Sequence, residues 1–134
     1  MTKNEILQAF DSLGFQTEEL GNGFYHFEFE EINFLYVTNE DDEDFLSISI
    51  PSIFEVTEEN MAMIMPILNR TNNIIKYAKL VYLYDTVWAT FEYPIFEGVD
   101  IENVLELAIR LLQGAVFTFN KVLRGDFEEN EEKN

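Results

Sequence analysis

The feature that most restricts the fold of this chain is alternation. In "FLSISIP", residues 45–51, Leu46, Ile48 and Ile50 alternate with Ser47 and Ser49, a period of two that sends the apolar set to one side of a strand and the hydroxyls to the other. Four further runs read the same way: "FYHFEFE" (24–30), "INFLYVT" (32–38), a long run from Ile74 to Tyr84, and "VWATFEYP" (87–94). Each is rich in aromatic and β-branched residues, the types that suit a pleated, half-buried surface. Tyr25, Phe27 and Phe29 share one face of the first run, while His26, Glu28 and Glu30 face water. Little more than Glu30 and Glu31 joins the first two runs, so they read as an antiparallel hairpin, and Asp85–Thr86 is the expected turn of a second. "GNG" at 21–23 is a further turn signal, and Pro51 is expected to end its strand because it cannot donate to a ladder.

Helical periodicity separates these runs. Asn4 is placed to cap a short first helix with apolar positions Ile6, Leu7, Phe10 and Leu13, closed by Gly14 at the left-handed position with Phe15 folding back on Phe10. Thr57 followed by Glu58 and Glu59 opens a second helix, expected from Glu58 to Asn72, with Pro66 either kinking or restarting it. From Ile101 to about Arg124 runs a long amphipathic helix whose apolar set, including Val104, Leu105, Leu111, Leu112, Val116 and Phe119, is too broad for one stripe. Its second face is assigned either to a subunit contact or to a neighbouring helix of the same chain. The expected architecture is an α+β domain, residues 1–124, in the order α-β-β-β-α-β-β-α, with helices packed on an antiparallel five-stranded sheet. Residues 125–134, an acidic tail with little to bury, are expected to be disordered.

Charge limits the partners. With 26 acidic and 8 basic residues the net charge is −18, which opposes nucleic acid and anionic membrane surfaces. Cysteine is absent, so disulfides and thiol nucleophiles are excluded and a cytoplasmic setting is expected. No run of 18 apolar residues occurs to span a membrane. No catalytic residue, metal ligand or cofactor site is assigned. His26, the only histidine, falls on an exposed strand face without nucleophile-elbow glycines. "NEDDED" (39–44) lacks the central Gly and terminal Glu of a calcium loop, and "GNG" leads into a strand and not into a phosphate-binding helix.

The acids stop at Glu59 and resume at Asp85. The stretch between holds Arg70, Lys76 and Lys79, together with Asn69, Asn72 and Asn73. Its structural reading is a helix end whose amides serve the turn, leading into a central strand where carboxylates would be costly to desolvate. Its functional reading makes Arg70, Lys76 and Lys79 a local positive docking point. Trp88, the one tryptophan, falls on the sheet face opposite Val87, Ala89 and Phe91, where a dimer partner or a helix covers it. Met61, Met63 and Met65 read either as core or as an adaptable groove.

"DFLSISIPSIF", "LNRTNNIIKYAKLVY", "VWATFEYPI" and the long last helix together resemble the YbjN-like domain family, within the type III secretion chaperone-like fold. The resemblance runs from Phe15 to about Leu123 and sets Asn69, Asn72 and Lys79 at recurrent polar positions; Pro66 departs from the usual uninterrupted helix. It implies a small, acidic, cytoplasmic bacterial protein, often a homodimer and not an enzyme. The function expected from residues and resemblance together is a non-catalytic protein-interaction domain, a chaperone-like or regulatory binder of a partner protein or extended peptide. A small-ligand-sensing regulator is the alternative, and an acid-dependent hydrolase ranks last.

Overall fold

The computed structural model describes residues 1–41 and 43–125; the expected disordered tail thus lies outside the described residues, Gly125 apart. The elements are α1 (Lys3–Ser12), β1 (Glu18–Gly21), β2 (Phe24–Phe29), β3 (Ile32–Val37), β4 (Phe45–Glu55), α2 (Met61–Ile74), β5 (Ala78–Leu83), β6 (Thr86–Pro94) and α3 (Ile101–Leu123). Among the described residues the sheet has six strands, not the expected five, in spatial order β1-β2-β3-β4-β6-β5, and the chain order is α-β-β-β-β-α-β-β-α. Every neighbouring pair is antiparallel. The extra strand, β1, is exposed at all four positions. It is recruited by the Asn22–Gly23 turn, with φ of 54° and 83°, and Gly23 is required there because a Cβ would meet the Thr38 carbonyl oxygen at 2.8 Å.

Local chemistry fixes the helix ends. Thr2, not Asn4, caps α1, in a reciprocal box with Glu5: Glu5 N–H donates to Thr2 Oγ1 at 3.2 Å and Thr2 N–H to Glu5 Oε1 at 3.1 Å. The Thr2 N–H, together with the Thr2 hydroxyl that donates to the same Oε1 at 3.1 Å, holds the Glu5 carboxyl below its ordinary pKa. At the other end Phe15 N–H donates to the Phe10 carbonyl and Gly14 N–H to that of Asp11, a Schellman closure around Gly14 at φ 89°. α2 begins at Met61, three residues later than expected, because Thr57 and Asn60 bond each other's N–H in the preceding turn. It runs unbroken through Pro66 and on to Ile74, so Ile74 is helical and the next strand starts only at Ala78.

Pro51 does not end β4. A bulge between Ile50 and Phe54 absorbs it, with Ser52 at φ 52°, and pairing with β6 resumes at Phe54↔Val87. The β5–β6 reversal uses Tyr84–Asp85 and not Asp85–Thr86; φ is positive at both, as it is at Glu30–Glu31 between β2 and β3. The position of β5 is a further correction: it forms an edge of the sheet, and β4, between β3 and β6, is central.

The core lies between one sheet face and the helices. Phe27, Phe34, Leu46, Ile48, Val87, Ala89 and Phe91 from the sheet meet Phe10, Ile64, Leu105, Ala108, Leu112 and Phe119, all fully buried. α3 touches α1 and α2 as well as β4, β5 and β6, so neighbouring helices of the same chain cover much of its broad apolar set, while Phe117 stays exposed. The three α2 methionines are also exposed. Among the described residues all helices pack on one face of the sheet, and none lies on the other.

Candidate interaction surface on the open sheet face

Alternation decides which side chains reach the open face. Core residues Val87, Ala89 and Phe91 of β6 send Trp88, Thr90 and Glu92 the other way, and the antiparallel register sets Trp88 beside Val81, Thr90 beside Lys79 and Ser49, and Glu92 beside Ser47. A shallow groove of about 350 Å³ results. Phe24 and Val37 form one wall, Val81, Leu83 and Tyr84 the other, and Ser47, Ser49, Trp88 and Thr90 lie between, with Glu92 the one charged group among the described lining residues. From β3 to β5 are three interstrand steps, about 14 Å in all, wide enough for one extended segment or one helix.

The floor is braced by hydrogen bonds. The buried Ser49 hydroxyl donates to Thr90 Oγ1 at 3.1 Å. Trp88 Nε1 donates to Thr86 Oγ1 at 2.9 Å, and that hydroxyl donates to the Leu83 carbonyl at 3.0 Å, so the indole ties down the hairpin tip. Trp88 is only 9% exposed, its ring 6.0 Å from that of Tyr84. The exposed apolar surface at this tip therefore belongs chiefly to Tyr84, 74% exposed, and Leu83, 38% exposed. The sequence pointed to Trp88 and missed both neighbours; the signal was there in "LVYLY", whose apolar residues run past the end of the alternation.

The three basic residues sit on three different parts of the chain. Arg70 is half-buried on α2, Lys76 lies exposed in the connection to β5, and Lys79 is on the opposite sheet face, its Nζ 3.0 Å from Glu92 Oε1. Both partners of that pair are half-exposed, so it contributes only about 0–1 kcal/mol. The asparagines divide their tasks. Asn73 Nδ2 donates to the Asn69 carbonyl at 3.0 Å within the helix end. The Asn72 side chain reaches out of the helix: its Oδ1 accepts from Leu80 N–H at 2.7 Å and its Nδ2 donates to the Leu80 carbonyl at 3.0 Å.

His26 Nε2 stands 2.8 Å from Asn33 Oδ1 on the outer sheet face, an amide partner and neither an acid nor a hydroxyl. Among the described residues no group of three His, Asp or Glu is placed to hold a metal ion, and no helix is long and apolar enough to cross a membrane.

No protein-family model and no curated protein sequence matches the chain. Solved structures do. YbjN from E. coli, described as a candidate transcription regulator, superposes with a TM-score of 0.63 at 13% identity, covering 96% of this chain and 94% of that one. An uncharacterized protein from Methanothermobacter thermautotrophicus gives 0.61 at 15% identity, covering 95% and 99%. On these two superpositions, each covering nearly the whole of both chains, the chain has a YbjN-like fold.

Proposed function

We propose that this chain is a non-catalytic protein-interaction domain, a chaperone-like or regulatory binder that receives an extended or helical segment of a partner protein in the groove on its open sheet face. The observation that carries the reading is the hairpin tip: Tyr84 and Leu83 project beside a floor braced by Trp88 and the Ser49–Thr90 bond. Exposed aromatic and aliphatic side chains on a rigid floor are the anchors that interfaces use. A net charge of −18 opposes direct contact with a phosphate backbone, so a regulatory role runs through protein. The likeness to YbjN is compatible with regulation and adds the fold alone. The absence of cysteine supports a reducing, cytoplasmic setting.

The test is capture from cytosol on immobilised chain, with Leu83→Asp as the matched control. A charge in the wall of the groove abolishes docking there while leaving the sheet folded, as circular dichroism checks. Proteins retained by the wild type and lost by the folded variant support the reading; equal retention by both refutes it.

The small-ligand alternative draws on the same groove, whose 350 Å³ falls within the range of small-molecule sites. Thermal-shift screening of metabolites against the wild type and Thr90→Val separates the two, since a ligand seated on the hydroxyl floor loses its shift in that variant.

A further inference from the structure

Tyr36 on β3 is 4% exposed, its ring packed against those of Phe10 and Tyr25 at 5.5 and 5.9 Å. Its hydroxyl makes no hydrogen bond among the described residues. A phenol withdrawn that far from water without a partner is costly, so its position calls for an explanation. The little surface that Tyr36 keeps belongs to a cavity of about 470 Å³, between the start of α1 and the connection from β3 to β4. The buried Ile6 and Tyr36 line it on the inside. On the outside stand Phe45, 47% exposed, and the carboxylates of Glu40, Asp41 and Glu43. Of the cavity's neighbours, Lys3 turns its ammonium over the Tyr25 ring, 5.8 Å from the centroid, and that ring does not line the cavity.

We infer that this cavity binds an organic polycation, a linear amine whose ammonium groups are separated by methylenes, with the Tyr36 hydroxyl as the acceptor at its buried end. Carboxylates only accept hydrogen bonds, so the ligand must bring the donors, and a primary ammonium brings three on one nitrogen. A single metal ion does not suit the site, because among the described residues no three acids converge closely enough to hold one. Charges spaced along a chain match carboxylates spaced along a loop. The methylenes between them find apolar surface on Ile6 and Phe45, and the Phe45 ring offers its face to an ammonium. Tyr36 stays protonated in ordinary buffers, since burial pushes it up to about 12, and its unused lone pairs accept an N–H. The exposed carboxylates attract any cation weakly; the buried hydroxyl is what distinguishes one that enters. The volume lies within the range of small-molecule sites, and the net charge of −18 raises the local concentration of cations. This cavity shares only Val37 with the groove on the open sheet face, so the inference does not rest on the proposed protein-binding function.

The experiment is calorimetric titration with the triamine spermidine at physiological ionic strength, with circular dichroism to check that each variant folds. The wild type is expected to bind one spermidine per chain. Tyr36→Phe keeps the ring and removes only the hydroxyl, and is expected to weaken binding at least about tenfold, the loss of a hydrogen bond to a charged donor. Glu40→Gln with Glu43→Gln is expected to weaken it as well. Glu58→Gln with Glu59→Gln makes the same change in net charge at two exposed positions ahead of α2, and is expected to bind as the wild type does. A wild type that fails to bind overturns the inference. So does an equal effect of the two glutamine pairs, since the attraction is then diffuse, and so does a folded Tyr36→Phe that binds like the wild type. A magnesium titration that gives the same Tyr36-dependent heat overturns the assignment to an organic cation. Should Tyr36→Phe not fold, the comparison of the two glutamine pairs decides.

Discussion

Phe15 folds back onto Phe10: its N–H donates to the Phe10 carbonyl at 3.0 Å, and the two rings stand edge to face with centroids 6.3 Å apart. Phe10 also meets Phe27 and Tyr36 at 4.7 and 5.5 Å, so one fully buried ring links α1 to two strands. Phe10→Ala is expected to destabilise the fold by about 3–5 kcal/mol. Phe15→Ala, at a half-buried site, is expected to do so by less. Urea denaturation of both variants checks the order, and a larger loss for Phe15 contradicts the packing described.

Trp88 is a built-in probe. Shielded by Tyr84 and its strand neighbours, it should emit to the blue of free tryptophan and resist quenching by iodide. Thr86→Val removes the acceptor of the indole N–H and the donor to the Leu83 carbonyl. The expected outcome is easier quenching and a loss of about 1 kcal/mol or somewhat more.

Glu30 and Glu31 sit at φ 52° and 66°, a left-handed pair that Asn-Gly adopts far more readily. Replacing Glu30–Glu31 by Asn–Gly is expected to stabilise the hairpin by about 1 kcal/mol, after allowance for the greater freedom of glycine in the unfolded chain. A shift of the urea midpoint upward, with an unchanged slope, is the expected readout.

Burial pushes the Tyr36 phenol up from 10.0 to about 12, with the neighbouring Tyr25 adding to the shift. Between these two pH values the unfolded chain has released this proton and the folded chain keeps it, so the unfolded state binds fewer protons and stability falls as pH rises. The contribution is complete below pH 10 and is lost through pH 12. Tyr36→Phe should flatten that part of the alkaline unfolding curve, and the 295 nm absorbance of the wild type should retain a late step that the variant lacks. The hydrogen bond to Asp85 raises exposed Tyr82 as well, so Tyr82→Phe is the necessary control.

Period-two patterning located β2, β3, β6 and the first part of β4 because each has one face in the core, and the Gly14–Phe15 helix end was legible because its chemistry is local. β1 was not: Glu18, Glu19, Leu20 and Gly21 are all exposed, so no alternation marks them, and only the adjoining turn draws them into the sheet. Pro51 looked like a terminator because its missing N–H is read from one residue, whereas the bulge that accommodates it depends on Val87 resuming the ladder across the sheet. Ile74 and Ile75 extended the apparent strand because apolar residues at a helix end cannot be told from a strand by period alone. At the candidate surface, the side of the sheet on which Trp88 falls followed from alternation. The Asn72–Leu80 pair did not, since it joins a helix to a strand through a reversal in which Tyr77 takes φ 62°.

The two hairpin tips without glycine carry a consequence for how the molecule assembles. Glu30–Glu31 and Tyr84–Asp85 hold side-chain-bearing residues where an isolated segment resists going, so these reversals are poor starting points. They close when the strands around them are already paired. The contact that organises the sheet is then β4 with β6, whose Ser49 and Thr90 meet although they stand 41 positions apart in the chain. A search over that separation is slow, and a nascent polypeptide cannot complete its sheet until Pro94 has emerged.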